Sequence, residues 1–212
     1  MNWNEMLGDG YFQAVKDRLY DRREPLVWPQ QVSKIVLPHD FSGKKVLIEA
    51  GCCVGAAYKT FRQQYVRDSL KYIGLDFTPR YLEEAKTYFV RDIELGNCEF
   101  ILHDIIDPFP VTGDYVVCSA CLEHILSFED ALENLIEATE EHLVIRTFLG
   151  ENYEWFASDV GLPIQQFSFK SLLGTLDEEF IVRVHRDWYT DSIPQLVQGA
   201  VRMFYVVSAK RR

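Results

Sequence analysis

From Lys44 onward, five short apolar runs alternate with stretches of helical period, and this alternation limits the fold more than any other feature. The runs are KVLIEA (Lys45 to Ala50), YIGLD (Tyr72 to Asp76), CEFILHD (Cys98 to Asp104), YVVCS (Tyr115 to Ser119) and HLVIRTF (His142 to Phe148). Near-continuous apolar runs of this length read as strands buried on both faces. Between them, Tyr58, Phe61 and Tyr65 share one helical face, as do Leu82, Ala85 and Phe89, and then Leu132, Leu135, Ile136 and Thr139. Ser127 with Asp130 three residues later predicts a capping-box-like start for the last of these helices. Strands separated by helices of this length predict an α/β fold with a mostly parallel sheet and helices on both faces.

The last third changes character. Residues Glu178 to His185 and Ala200 to Ser208 read as two more strands with no helix between them, so a terminal strand pair with an antiparallel last strand is expected. That makes seven strands. Neither repeats nor a linker divide the 212 residues, and one domain is expected: residues 1–43 as a helical lid, 44–148 as the core, and 149–212 as a helix and the strand pair.

Composition excludes several classes of partner. The balance of 22 basic against 32 acidic residues gives a formal charge of −10, which repels nucleic acid. No apolar run reaches the roughly 18 residues needed to span a bilayer, and MNWNEMLGDG lacks the regions of a secretory signal. A cytoplasmic protein, monomer or homodimer, is expected. The five cysteines are an odd number and include the adjacent pair Cys52 and Cys53, so reduced thiols are expected rather than a disulfide framework.

In an open α/β sheet, ligands bind beyond the carboxyl ends of the strands. Those ends here carry EAGCCVG (Glu49 to Gly55), DFTP (Asp76 to Pro79), HDI (His103 to Ile105) and SACLEHI (Ser119 to Ile125). A glycine turn lets a ligand approach the backbone, and an acid ending the second strand can accept both hydroxyls of a ribose. The pair fits a nucleoside. A dinucleotide fingerprint starting at Gly51 would need glycine where Cys53 and Ala56 stand, which weakens a nicotinamide cofactor.

In order and spacing, VLIEAGCCVG, GLDFTPRYLEEA, HDI and CSACLEHI resemble the class I S-adenosylmethionine (SAM) dependent methyltransferases, in their small-molecule branch, across Lys44 to Phe148. The resemblance implies a Rossmann-like class I fold, SAM as cofactor, S-adenosylhomocysteine (SAH) as product, and O- or N-methylation of a small molecule. It implies that Gly51 and Gly55 pass against the methionine part, that Glu49 secures that loop and reaches the ammonium through water, and that Asp76 holds the ribose. Phe77 and Ile105 would cover the adenine faces, Asp104 would accept its amino group, and Ser119 and Ala120 would lie near the methionine. Cys53 departs from the pattern, which has glycine there. If the position needs φ > 0, a Cβ costs on the order of 1 kcal/mol.

Each assignment has a plainer counterpart. Asp76 could cap the helix that follows it, and Asp104 could be a solvated loop carboxylate. His124 is the first candidate for a general base and His185 the second, against a purely structural role. Glu123 reads as a loop-orienting acceptor. Arg146, Tyr153, Trp155 and Tyr189 are candidates for acceptor recognition, with an internal ion pair as the other reading of Arg146. Zinc at Cys52, Cys53, Cys118 and Cys121 is disfavoured, because adjacent cysteines chelate poorly, and no metal is expected. The alternative from another class is a non-catalytic module that binds a nucleoside or a partner protein.

Overall fold

The computed structural model describes residues 3–37, 43–64, 69–157, 163–188, 195–197 and 200–212. Contacts divide the chain into two units, Met1–Ile105 and Ile106–Arg212.

In the first unit, β1 (Lys45–Ala50) has its last four residues buried, and it pairs in parallel with β2 (Leu70–Asp76), Ile48 opposite Ile73. β2 pairs in parallel with β3 (Cys98–Leu102) on its other side, giving the order β3-β2-β1. The apolar runs therefore become adjacent parallel strands, as their both-face burial requires. Helices α3 (Ala56–Gln64), α4 (Pro79–Tyr88) and α5 (Val90–Glu94) connect them. Their inward faces are the predicted ones: Tyr58 and Phe61 on α3, and Leu82, Ala85 and Phe89 on or just after α4, are all buried. Tyr65 lies outside the described residues. An aromatic chain joins helices to sheet, Tyr58 stacked on Tyr72 at 4.6 Å and Phe89 on Phe100 at 5.7 Å between ring centroids.

The segment before β1 forms α1 (Trp3–Leu19), interrupted at Gly8, and α2 (Trp28–Ile35). α1 lies on α4. Phe12 stacks on Tyr81, and Lys16 Nζ and Tyr20 Oη both donate to the Glu84 carboxylate, at 2.7 and 2.8 Å.

In the second unit, β4 (Gly113–Ser119) runs parallel to β5 (Thr139–Gly150), and β11 (Phe204–Arg211) lies antiparallel between β5 and β8 (Phe180–Arg186). The antiparallel terminal pair is as expected. Helices α6 (Phe128–Glu137) and α7 (Phe169–Asp177) belong to this unit.

Four details differ from the sequence expectation. Ser127 stands at the N-cap of α6 but makes no side-chain cap bond, because its ψ of 64° is not the extended geometry a capping box uses. Thr139 begins β5 rather than ending α6, though it is buried as expected. AVRMFYVVS is not one strand: β10 (Ala200–Arg202) pairs with β9 (Gln195–Val197), and β11 starts at Phe204. A further hairpin, β6 (Glu154–Ala157) with β7 (Pro163–Ser168), follows β5, and the end of β7 pairs with the end of β5. It is held by a cluster of Phe148, Phe156, Ile164 and Phe204. Among the described residues, no helix is long and apolar enough to cross a membrane.

Candidate functional site

At the carboxyl ends of β1 and β2 in the first unit, the chain turns through EAGCCVG in three residues of positive φ: Gly51 (77°), Cys53 (49°) and Gly55 (74°). The turn is tied to β2, because the N–H groups of Gly51 and Cys52 both donate to the Leu75 carbonyl, at 2.8 and 3.0 Å. Gly55 is required for space as well as for φ: a Cβ there would lie 2.8 Å from Phe100. Cys53 carries the positive φ that its glycine-like position demands.

Asp76, at the end of β2, organises this edge. Its Oδ2 accepts the Cys53 N–H at 2.8 Å and its Oδ1 accepts the Thr78 N–H at 2.9 Å, so one carboxylate fixes both the glycine turn and the start of α4. The bond to Thr78 is in keeping with the capping reading of Asp76, and the bond that holds the glycine turn is one the sequence did not suggest. Asp76 is buried, and burial pushes its carboxyl above the usual range while the Thr78 and Cys53 N–H groups pull it back. Glu49, on β1, is 4% exposed and accepts a hydrogen bond from the Tyr72 hydroxyl. Burial raises its carboxyl to about 8, opposed by Tyr72 and reinforced by the negative charge of Asp76. Cys53 is half-buried, and its thiol is pushed up by desolvation and by Asp76 and Glu49.

Phe77 is exposed beside Asp76, Ile105 is buried, and Asp104 is exposed. Sequence reasoning missed Tyr11. It comes from α1 with its hydroxyl against the Cys53 thiol, whose charge is the largest influence raising the phenol's pKa. The only signal was an aromatic residue in a segment that had to cover something.

In the second unit, β4 ends at Ser119, and Ala120 turns the chain with φ 52°, its N–H donating to the Arg146 carbonyl at 2.9 Å. A 3-10 turn, Leu122–His124, follows. It presents His124 half-buried and buries Glu123 completely, with Thr147 Oγ1 donating to Glu123 Oε2 at 2.9 Å. That is the acceptor role expected of Glu123. Arg146 is buried and pairs in bidentate fashion with Asp187, Nε to Oδ1 at 2.8 Å and the terminal nitrogen to Oδ2 at 2.9 Å, with its guanidinium 4.0 Å over the Phe204 ring. This is the internal pair that its second reading described.

Tyr153 and Trp155 are both half-exposed, ring edge to face at 6.1 Å, and the Tyr153 hydroxyl donates to Gln165 Oε1 at 2.8 Å. His185 on β8 contacts Ser208 Oγ at 3.2 Å, and burial and Arg183 lower its pKa. Tyr189 lies outside the described residues. All five cysteines are free thiols, and no cluster of three or more His, Cys, Asp or Glu side chains suited to a metal occurs among the described residues.

Residues 48–144 match the family model described as "Methyltransferase domain". No curated protein matches the sequence. Among solved structures, the N-terminal domain of EvdMO1 with SAH bound aligns at 15% identity with a TM-score of 0.64, covering 90% of this chain and 82% of that one. Magnesium protoporphyrin IX methyltransferase from Synechocystis PCC 6803 with bound SAM aligns at 16% and 0.59, covering 99% and 89%. The [4+2]-cyclase SpnF aligns at 10% and 0.67, covering 87% and 79%. At these identities the likeness is one of fold: mixed α/β, Rossmann-like, with parallel strands and antiparallel last strands.

Proposed function

We propose that this chain, whose residues 48–144 match a methyltransferase-domain model, is a class I methyltransferase that binds SAM and transfers its methyl group to a small-molecule oxygen or nitrogen. The observation that carries the reading is Asp76. A buried carboxylate at the end of β2, already committed to the N–H groups of Cys53 and Thr78, retains lone pairs for a ribose diol and sits in register with a turn of three left-handed residues.

The charge around the turn supports a cationic ligand. Glu49 and Asp76 lie there together, and a bound ammonium would offset the burial and the Asp76 charge that raise the Glu49 carboxyl to about 8. When bound, SAM would supply an electrophilic methyl on a sulfonium. Asp76 would hold the ribose, Gly51 and Gly55 would allow close backbone approach, and Glu49 would meet the methionine ammonium. Phe77, Ile105 and Asp104 would surround the adenine, and Ser119 and Ala120 would lie by the methionine. The chain's remaining task is to orient an acceptor lone pair about 3–3.5 Å from the methyl and to exclude water. His124 is the proposed base for an acceptor that must lose a proton, with His185 as second choice.

A second reading has one observation behind it. A cyclase shares this fold, so the architecture hosts other activities and a non-catalytic nucleoside- or partner-binding module is the alternative. The test is a thermal shift with SAM and with SAH, since ligand at 100 times its Kd stabilises by about 2.7 kcal/mol. We expect a shift with both, abolished in Asp76→Ala. No shift with either at millimolar concentration overturns the cofactor, and a shift without SAM consumption across an acceptor panel favours the binding module.

A further inference from the structure

Helix α1 is fixed against the two helices that start directly after the glycine turn and after Asp76. One of its faces lies along α4, where Phe12 stacks on Tyr81, the Arg80 guanidinium sits 3.8 Å over the Phe12 ring, and Lys16 and Tyr20 meet Glu84. Lys59 of α3 reaches the end of the helix and donates to the Leu19 carbonyl at 3.0 Å. The adjoining face carries Tyr11 and Arg18, which stand about two turns apart and so line up along the helix. Tyr11 places its hydroxyl against the Cys53 thiol, in the middle of the glycine turn. Helical side chains lean toward the N-terminus, which leads the Arg18 stem back past Ala14 toward the same turn.

Arg18 is a cation without an acid. Lys16 pairs with Glu84 and Arg22 with Asp17, whereas the Arg18 guanidinium makes no ion pair among the described residues, in a chain that carries 32 acidic residues against 22 basic. It is half-buried, and a charge drawn out of water is stabilised by a partner of opposite sign. Its neighbours do not supply one. The Tyr11 phenol is held above its usual range by the Cys53 thiol and by burial, and the Cys53 thiol by burial and by Asp76 and Glu49, so both are uncharged near pH 7; the Arg18 charge opposes these shifts without reversing them. Tyr11 is 40% exposed, and Arg18 and Cys53 are half-buried, so solvent and ligands reach all three.

We propose that Arg18 binds the carboxylate of the ligand's amino-acid end, so that Arg18 and Glu49 read the two opposite charges of an α-amino acid and the site selects nucleosides that carry one. A guanidinium meets a carboxylate through two parallel N–H bonds, a geometry that lysine cannot copy. The assignment rests on the SAM reading, and it gives a binding role to a residue that precedes β1, outside the loops that end the strands.

Two ligands that differ in one group test it: SAH and its decarboxylated counterpart, S-adenosyl-3-thiopropylamine, titrated calorimetrically at pH 7.5 into wild type, Arg18→Gln and Arg18→Lys. Wild type should bind SAH about tenfold or more tightly than the decarboxylated ligand. Arg18→Gln should lose about that factor for SAH, bind the decarboxylated ligand like wild type, and melt like wild type when no ligand is present, since no ion pair is broken. Arg18→Lys should keep part of the preference. An undiminished preference in Arg18→Gln, an equal loss for both ligands, or no preference in wild type would each overturn the carboxylate role while leaving SAM binding itself in place. Wild type that bound neither ligand would remove the cofactor and the role of Arg18 together.

Discussion

The carboxylate of Asp76 accepts the main-chain N–H of Cys53 at 2.8 Å while Cys53 itself sits at φ 49°. The left-handed turn is thus held by a hydrogen bond to a charged group, which is stronger than a neutral one and offsets the cost of a Cβ in that conformation. Cys53→Gly removes the strain, of order 1 kcal/mol, but adds backbone entropy to the unfolded chain of similar size. Its urea midpoint should therefore stay close to wild type while SAM binds more tightly. Cys53→Val, β-branched at positive φ, should lose well over 1 kcal/mol in the same titration.

His124 ends a 3-10 turn whose backbone is held independently of its side chain, the His124 N–H donating to the Cys121 carbonyl at 3.0 Å. His124→Ala should therefore keep the SAM-induced thermal shift and lower kcat by about 10²-fold or more if the imidazole takes the acceptor's proton. Full turnover in that variant would remove it as base.

Glu49 gives a pH dependence whose sign is fixed. Its carboxyl titrates at about 8 in the folded chain, above the 4.5 of an unperturbed glutamate, so between these values the folded state holds a proton that the unfolded state has released. The contribution of Glu49 to stability is full below about pH 4.5 and falls as pH rises toward 8. Compared with Glu49→Gln, wild type should lose more stability between pH 5 and pH 9 in parallel denaturant titrations. A bound ammonium would favour the ionised carboxyl, so SAM affinity of wild type, but not of Glu49→Gln, should rise across pH 7 to 9.

Arg146 and Asp187 are both buried and satisfy each other in bidentate geometry. Asp187→Ala would leave an uncompensated buried guanidinium and should destabilise by about 3–5 kcal/mol. The double variant Arg146→Met with Asp187→Leu should be more stable than Asp187→Ala. Additive losses in that comparison would show that the pair is not coupled.

The legibility of these features in the sequence follows from what each depends on. β1 to β5 were readable because a strand buried on both faces must be apolar almost throughout, as Leu47, Ile48, Val116, Val117, Val144 and Ile145 are. The glycine turn was readable because Gly51 and Gly55 need φ > 0, a local requirement. The β6–β7 hairpin was not, since the cluster that holds it includes Phe204 on β11, far along the chain from either of its strands. The contact of Tyr11 with Cys53 was equally hidden, because it depends on how α1 lies on α4. The Arg146–Asp187 pair spans 41 residues, and no spacing rule predicts which of many acids an arginine will meet.

Gly55 offers the sharpest test of the turn, since two independent penalties meet there. Its φ of 74° disfavours any Cβ, and a Cβ built at that position would lie 2.8 Å from Cε1 and 2.9 Å from Cζ of Phe100, with Phe89 at 3.2 Å. Phe100 and Phe89 are buried and stacked on each other, so neither ring can withdraw without opening the core between α4 and β3. Gly55→Ala should therefore cost roughly 2 kcal/mol or more, the sum of a backbone and an overpacking term. Adding Phe100→Leu would relieve the steric part but not the backbone part. Urea titration should accordingly show Gly55→Ala less damaging in the Phe100→Leu background than in wild type, and an equal loss in both backgrounds would mean that the ring contact is not what excludes a side chain.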